Sequence, residues 1–187
     1  MKSLLLFTDG SAHPTSGIGF GAYLAIPDLN TDFPESKAID NLRMQIASNA
    51  SDSSLENRVQ LKRFENTSSS QLEIETLLWA LRDTQPHAVT LYTDSQTIIG
   101  LPARREKLEQ QDYRSKAGTR LNHAELYQEF FALTDPLDTT LVKVKGHRRS
   151  YQKSPIDHIF ALVDRASRQA LRAEVKHERA QSGPRPV

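Results

Sequence analysis

Apolar residues recur along this chain with two different periods, and the changes between them mark out its elements. Residues 4–9, LLLFTD, are apolar on both faces until Asp9, the pattern of a buried strand. Gly10-Ser11 then reads as a turn. Residues 19–26, GFGAYLAI, predict the next strand, after a stretch rich in Pro, Ser and Gly. Residues 58–65, VQLKRFEN, alternate and predict a third. The period then lengthens. Ile74, Leu77, Leu78 and Leu81 fall at i, i+3, i+4 and i+7, so 71–83 is a helix with one apolar stripe. Ser69 or Ser70 is placed to cap it. Residues 88–94, AVTLYTD, return to a short buried strand, and strand–helix–strand implies a right-handed crossover joining a parallel pair. A short helix is expected over 95–100, and Asn122 with Glu125 signals the start of another, through about Leu133. Residues 139–145, TTLVKVK, predict a fifth strand. A last helix is expected from Pro155 to Lys176, with Ile156, Ile159, Val163, Ala166 and Ala170 on one face.

This order, βββαβαβα, predicts an α/β domain. Its five-stranded mixed sheet is an antiparallel meander extended by parallel strands, with helices on both faces. One domain is expected over 1–176, interrupted by a polar insertion at 28–57 and a basic excursion at 102–120. Residues 177–187 read as a disordered tail.

Composition narrows the classes. The chain has no cysteine, which excludes disulfides, thiolate metal sites and cysteine nucleophiles. No apolar run approaches a membrane span, and the N-terminal one is too short for a signal-peptide core. A cytoplasmic protein is the expectation, and nothing in the chain calls for an obligate protein partner. The net charge of +1 is unevenly placed, with −5 over residues 1–100 and +6 over 101–187. That asymmetry suggests a surface for a polyanion beside an acidic, cation-binding site.

Asp9 and Asp94 each close a predicted strand, and the topology puts those strands side by side. Ligands in such sheets gather beyond the carboxyl ends of the parallel strands. Either aspartate alone reads as turn or N-cap chemistry. As a pair they repel unless a cation or proton compensates them. Carboxylate oxygens are hard ligands that suit Mg²⁺ or Mn²⁺. Glu73 and Glu75 flank the first helix's stripe on opposite sides, and Asp157 and Asp164 flank the last helix's stripe on one side. Helical periodicity does not choose within either pair.

The segments FTDGSA…GIGFGAY, QLEIETLLWAL, LYTDSQ, KVKGHRR and DRASRQAL, in this order, resemble the motifs of the type 1 ribonuclease H family. The resemblance covers the chain apart from 28–57 and the tail. It implies a ribonuclease H-like fold and a metal-dependent endonuclease that cuts the RNA strand of RNA–DNA hybrids with two Mg²⁺ or Mn²⁺ ions, leaving 5′ phosphates. It assigns the metal-binding carboxylates to Asp9, Glu73, Asp94 and Asp164. Glu73 is chosen over Glu75 by its spacing to Ala80-Leu81. Asp164 is chosen over Asp157 because the motif runs Asp, two residues, a small residue, Arg. His147 matches the family's catalytic histidine. Ser11, Ser69, Ser70 and Gln96 fall at substrate-contacting positions, with Ser69 and Ser70 where asparagines are common. Arg104, Arg105 and Lys107 stand where some members carry a basic substrate-binding protrusion.

Overall fold

The computed structural model describes residues 3–28, 55–144 and 154–181. Strands β1 (Ser3–Ala12), β2 (Gly19–Pro27), β3 (Gln60–Phe64), β4 (Ala88–Thr93) and β5 (Asp138–Lys143) form one sheet in the order β3-β2-β1-β4-β5. β2 lies antiparallel to β1 and β3, while β4 lies parallel to β1 and β5. Helices α1 (Ser69–Thr84), α2 (Gln96–Gln110) and α3 (Ala124–Thr134) share one core cluster on one face of the sheet. Helix α4 (Pro155–Gln181) covers the other.

The unbroken apolar run of β1 follows from this sandwiching. Successive side chains of a strand point to opposite faces. Leu6 packs with Ile74, Leu77 and Leu78 of α1, while Leu5 and Phe7 pack with Ile159, Phe160 and Val163 of α4. Phe7 also stacks on Tyr92 of β4, ring centroids 4.6 Å apart. Each such side chain, fully buried, contributes roughly 1.5–3 kcal/mol. The alternation also sets chemistry: Asp9 and Ser11, in step with Leu5 and Phe7, belong to the α4 side.

Several expected boundaries shift. β1 does not turn at Gly10. Its pairing with β4 stops at Phe7↔Tyr92, but its pairing with β2 runs on to Ala12↔Gly19. Gly10 is there for close approach, since a Cβ would lie 2.8 Å from Leu72 Cγ in α1. The chain reverses later, where Gly17 takes φ +67° and the His13 N–H donates to Ile18 O at 2.8 Å. A turn through residues 55–59 shortens the third strand. The cap of α1 is Ser68, whose Oγ accepts the Gln71 N–H, so Ser69 and Ser70 occupy the first turn instead. Asn122 does not cap α3; His123 holds that position without a side-chain bond.

The larger correction concerns residues 95–120. Instead of a short helix and an irregular basic excursion, α2 runs from Gln96 to Gln110 with Pro102 inside it. Proline normally breaks a helix interior. Here Ile98, Leu101 and Leu108 are all buried on one side, and that stripe carries the helix past the break. Helix α4 likewise continues past Lys176 to Gln181, and the remainder of the expected tail lies outside the described residues. So does most of the 28–57 insertion, although Leu55 at its end is buried and Glu56 pairs with Arg165 of α4 at 3.0 Å.

Candidate active site

Asp9 and Asp94 stand two residues beyond the last paired position, Phe7↔Tyr92, where β1 and β4 part. Asp94 also precedes α2, and its neighbour Ser95 caps that helix by accepting the Ile98 N–H. Gly10 lets α1 settle close to the sheet at Leu72, which carries the adjacent Glu73 to the same rim. The Ser95 hydroxyl donates to Glu73 Oε2. From the opposite face, α4 brings Asp164 and Ser167 against Asp9. The Ser167 hydroxyl lies 2.5 Å from Asp9 Oδ2. Arg168 Nε pairs with Asp164 Oδ1 at 2.7 Å.

The residues that periodicity could not separate are engaged differently. Glu75 turns to its own helix start, accepting from Thr67 Oγ1 at 2.8 Å and Gln71 Nε2 at 2.9 Å. Asp157 closes the start of α4, accepting the Ser154 N–H and hydroxyl at 2.8 Å each. The Ser154 hydroxyl in return accepts the Asp157 N–H, so the two form a reciprocal cap.

The electrostatics tie the four acids into two groups that share a member. Burial pushes the Asp9 carboxyl up to about 6, the Ser167 bond opposes this, the charges of Asp164 and Asp94 add to it, and Arg168 opposes it. Burial raises Glu73 as well, with Ser95 opposing and Asp94 adding. Asp94 therefore acts on the carboxylates of both faces. A buried carboxylate with like-charged neighbours is relieved by a proton or a cation, and an all-oxygen donor set suits Mg²⁺ or Mn²⁺. The residues fit such an ion in chemistry. They are not preassembled around one: among the described residues no three His, Asp or Glu side chains form a closed metal-holding group. Ser167, Ser95 and Arg168 each hold one of the acids instead.

The other expected site residues are spread more widely. Ser11 reaches the acids indirectly, its Oγ 3.1 Å from Ser167 Oγ. Ser69 and Ser70 are exposed on the first turn of α1, and Gln96 is exposed at the start of α2. Arg104 lies over the Tyr127 ring and donates to the carbonyls of Gly100 and Thr97. Arg105 is committed to pairs with the protein's own side chains. It grips Asp135 with two bonds, pairs with Glu109 and lies over Phe131. Lys107 is exposed. His147 lies outside the described residues. Sequence reasoning assigned no role to Ser95 or Ser167. The available signal was position: Ser167 is one helical turn beyond Asp164, on the same face.

A mixed sheet in this strand order, helices on both faces and carboxylates where its central parallel strands part define a ribonuclease H-like protein. Residues 1–171 match the RNase H family model, and the chain belongs to that family, whose members are ribonucleases acting on RNA–DNA hybrids and generally use divalent metals. The fold is similar to one reported as the structure of the foamy viral protease-reverse transcriptase in complex with dsDNA. That match has a TM-score of 0.54 at 11% identity, covering 89% of this chain and 94% of the other. No curated protein matches the sequence. Among the described residues no helix is long and apolar enough to cross a membrane.

Proposed function

We propose that this protein is an endonuclease that hydrolyses the RNA strand of RNA–DNA hybrids, using two Mg²⁺ or Mn²⁺ ions held by Asp9, Glu73, Asp94 and Asp164. The observation that carries the reading is geometric: Asp9 and Asp94 follow the last paired position of β1 and β4, Glu73 is held from the α1 side by Ser95 next to Asp94, and Ser167, one turn beyond Asp164, holds Asp9 from the α4 side. When bound, the ions would supply Lewis-acid activation of water and charge stabilisation at the leaving 3′ oxygen, giving 5′-phosphate products.

The protein's own residues divide the remaining work. Asp9 and Asp94 would hold both ions, Asp164 would complete one site and Glu73 the other. His147 would move a proton or assist product release. Ser11, Ser69, Ser70 and Gln96 offer hydrogen bonds to the substrate strands, and contacts to 2′-hydroxyls would distinguish RNA from DNA. Arg104 and Lys107 would follow phosphates, whereas Arg105 serves the α2–α3 contact.

The test is incubation with labelled RNA–DNA hybrid, double-stranded RNA and double-stranded DNA, with Mg²⁺ and with chelator. Cleavage of the hybrid's RNA strand alone, and only with metal, is expected. In the same assay Asp94→Asn should abolish cleavage while hybrid binding persists, because binding rests mainly on cationic and sugar contacts. Near-normal cleavage by folded Asp94→Asn would remove the proposed site.

A further inference from the structure

We propose that Ser167 is the positioning residue for Asp9, its hydroxyl holding one carboxylate oxygen so that the other is presented to a divalent cation. The inference rests on the reading of Asp9 as a metal ligand and adds to it the group that orients that ligand.

Ser167 is fully buried on α4, a place where alanine would satisfy packing and favour the helix. Its oxygen lies near three others: Asp9 Oδ2 at 2.5 Å, the Asp164 carbonyl at 3.0 Å and Ser11 Oγ at 3.1 Å. A serine hydroxyl has one proton to give. A bond to the i−3 carbonyl would be ordinary back-bonding within a helix, with no bearing on chemistry. The contact to the carboxylate is the shortest of the three, and hydrogen bonds to charged acceptors are the short, strong ones. The proton therefore goes to Asp9, and Ser11 in turn donates to Ser167. The order is Ser11 to Ser167 to Asp9 Oδ2, so two small side chains from opposite sides of the strand–helix contact fix one carboxylate. The hydroxyl engages a single oxygen of Asp9. A carboxylate pinned in this way cannot rotate freely, which is how residues behind a metal ligand raise its affinity.

The experiment is calorimetric titration of the metal-free protein with Mn²⁺, without nucleic acid, for wild type, Asp9→Asn, Ser167→Ala, Ser167→Thr and Ser11→Ala. Ser167→Ala should weaken binding roughly tenfold, the lower end of what loss of a ligand's supporting bond costs. Its melting temperature in chelator should fall, because the buried Asp9 carboxylate loses the bond that opposes its burial, so affinity is compared on protein shown to be folded; a merely structural serine would lower stability and leave that affinity unchanged. Ser167→Thr keeps the hydroxyl and should recover most of the affinity. Ser11→Ala should cost less than Ser167→Ala, since it leaves the bond to Asp9 in place. An equal or larger loss for Ser11→Ala would overturn the proton order. Wild-type affinity in Ser167→Ala, with binding lost in Asp9→Asn, would end the positioning role and leave the metal site standing. Wild-type affinity in both would end the metal reading itself.

Discussion

Asp9 shows how one carboxylate couples folding to pH. Its folded value of about 6 lies above the ordinary 3.8. Between those values the native state keeps a proton that the unfolded chain gives up. Stability therefore declines as pH rises through that window and stays lower above it. At 1.36 kcal/mol per pH unit the loss is on the order of 2–3 kcal/mol. Asp9→Asn should accordingly be more stable than wild type at pH 7.5 in chelator. The gain should be nearly gone at about pH 3, where both states of the wild type are largely protonated, and divalent cation should narrow it at pH 7.5. Denaturant titrations at the two pH values, with and without Mg²⁺, measure it; an equal difference at both would mean that Asp9 is not destabilised by burial and its neighbours. Four amide variants test the ambiguous pairs. Glu73→Gln and Asp164→Asn should lose activity, Asp164→Asn with partial recovery at higher Mn²⁺. Glu75→Gln should cleave normally, because Glu75 is bonded to Thr67 and Gln71. Asp157→Asn should also cleave normally, with at most about 1 kcal/mol lost from the helix cap.

Among the elements, α2 carries basic residues in two different settings. Arg105 ties α2 to α3 through Asp135, while Arg104 and Lys107 are exposed beside it. Neutralising Arg104 and Lys107 should each lower the log–log salt slope of hybrid binding by roughly 0.7–0.9. Arg105→Ala should leave the slope unchanged and lower the melting temperature. A lowered slope for Arg105→Ala would place that residue on the substrate. The element scale also shows what the sequence made legible. The stripe Ile74, Leu77, Leu78, Leu81 and the apolar runs at 4–7 and 88–93 reported their elements directly, because burial there is one-sided in the helix and two-sided in the strands. Helix α2 was hidden because Pro102 carries a local breaking signal while Ile98, Leu101 and Leu108 are spaced across it. Local chemistry misled at Asp9-Gly10 too, since the same dipeptide suits a turn or a strand passing beneath a helix. The acids were visible as residues, but which member of each pair faces the rim depends on helix rotation. A stripe with candidates at its margins does not fix that rotation.

At the scale of the whole molecule, the acids arrive from both faces of the sheet at the end where β1 and β4 part. Glu73 depends on α1, Asp164 on α4, and the sheet is the common reference for both. The seat of α1 on that reference depends on missing methyl groups at Gly10, Gly19 and Gly21, and Gly10 is the one that follows Asp9. A Cβ on Gly10 would lie 2.8 Å from Leu72 Cγ, where carbon contacts normally relax to about 3.5–4.0 Å. Gly10→Ala should therefore act as a shim, lifting the start of α1 by up to roughly an ångström. Overpacking of this kind costs about 1–3 kcal/mol, whereas a misplacement of that size at a reacting centre can cost about a hundredfold in rate. A folded, slightly less stable Gly10→Ala protein with cleavage down by about that factor is expected, and unchanged cleavage would show that Leu72 yields alone. The helix bearing Glu73 is thus machined to a fit finer than a single carbon atom, and a candidate site assembled from two faces keeps its alignment only while that clearance holds.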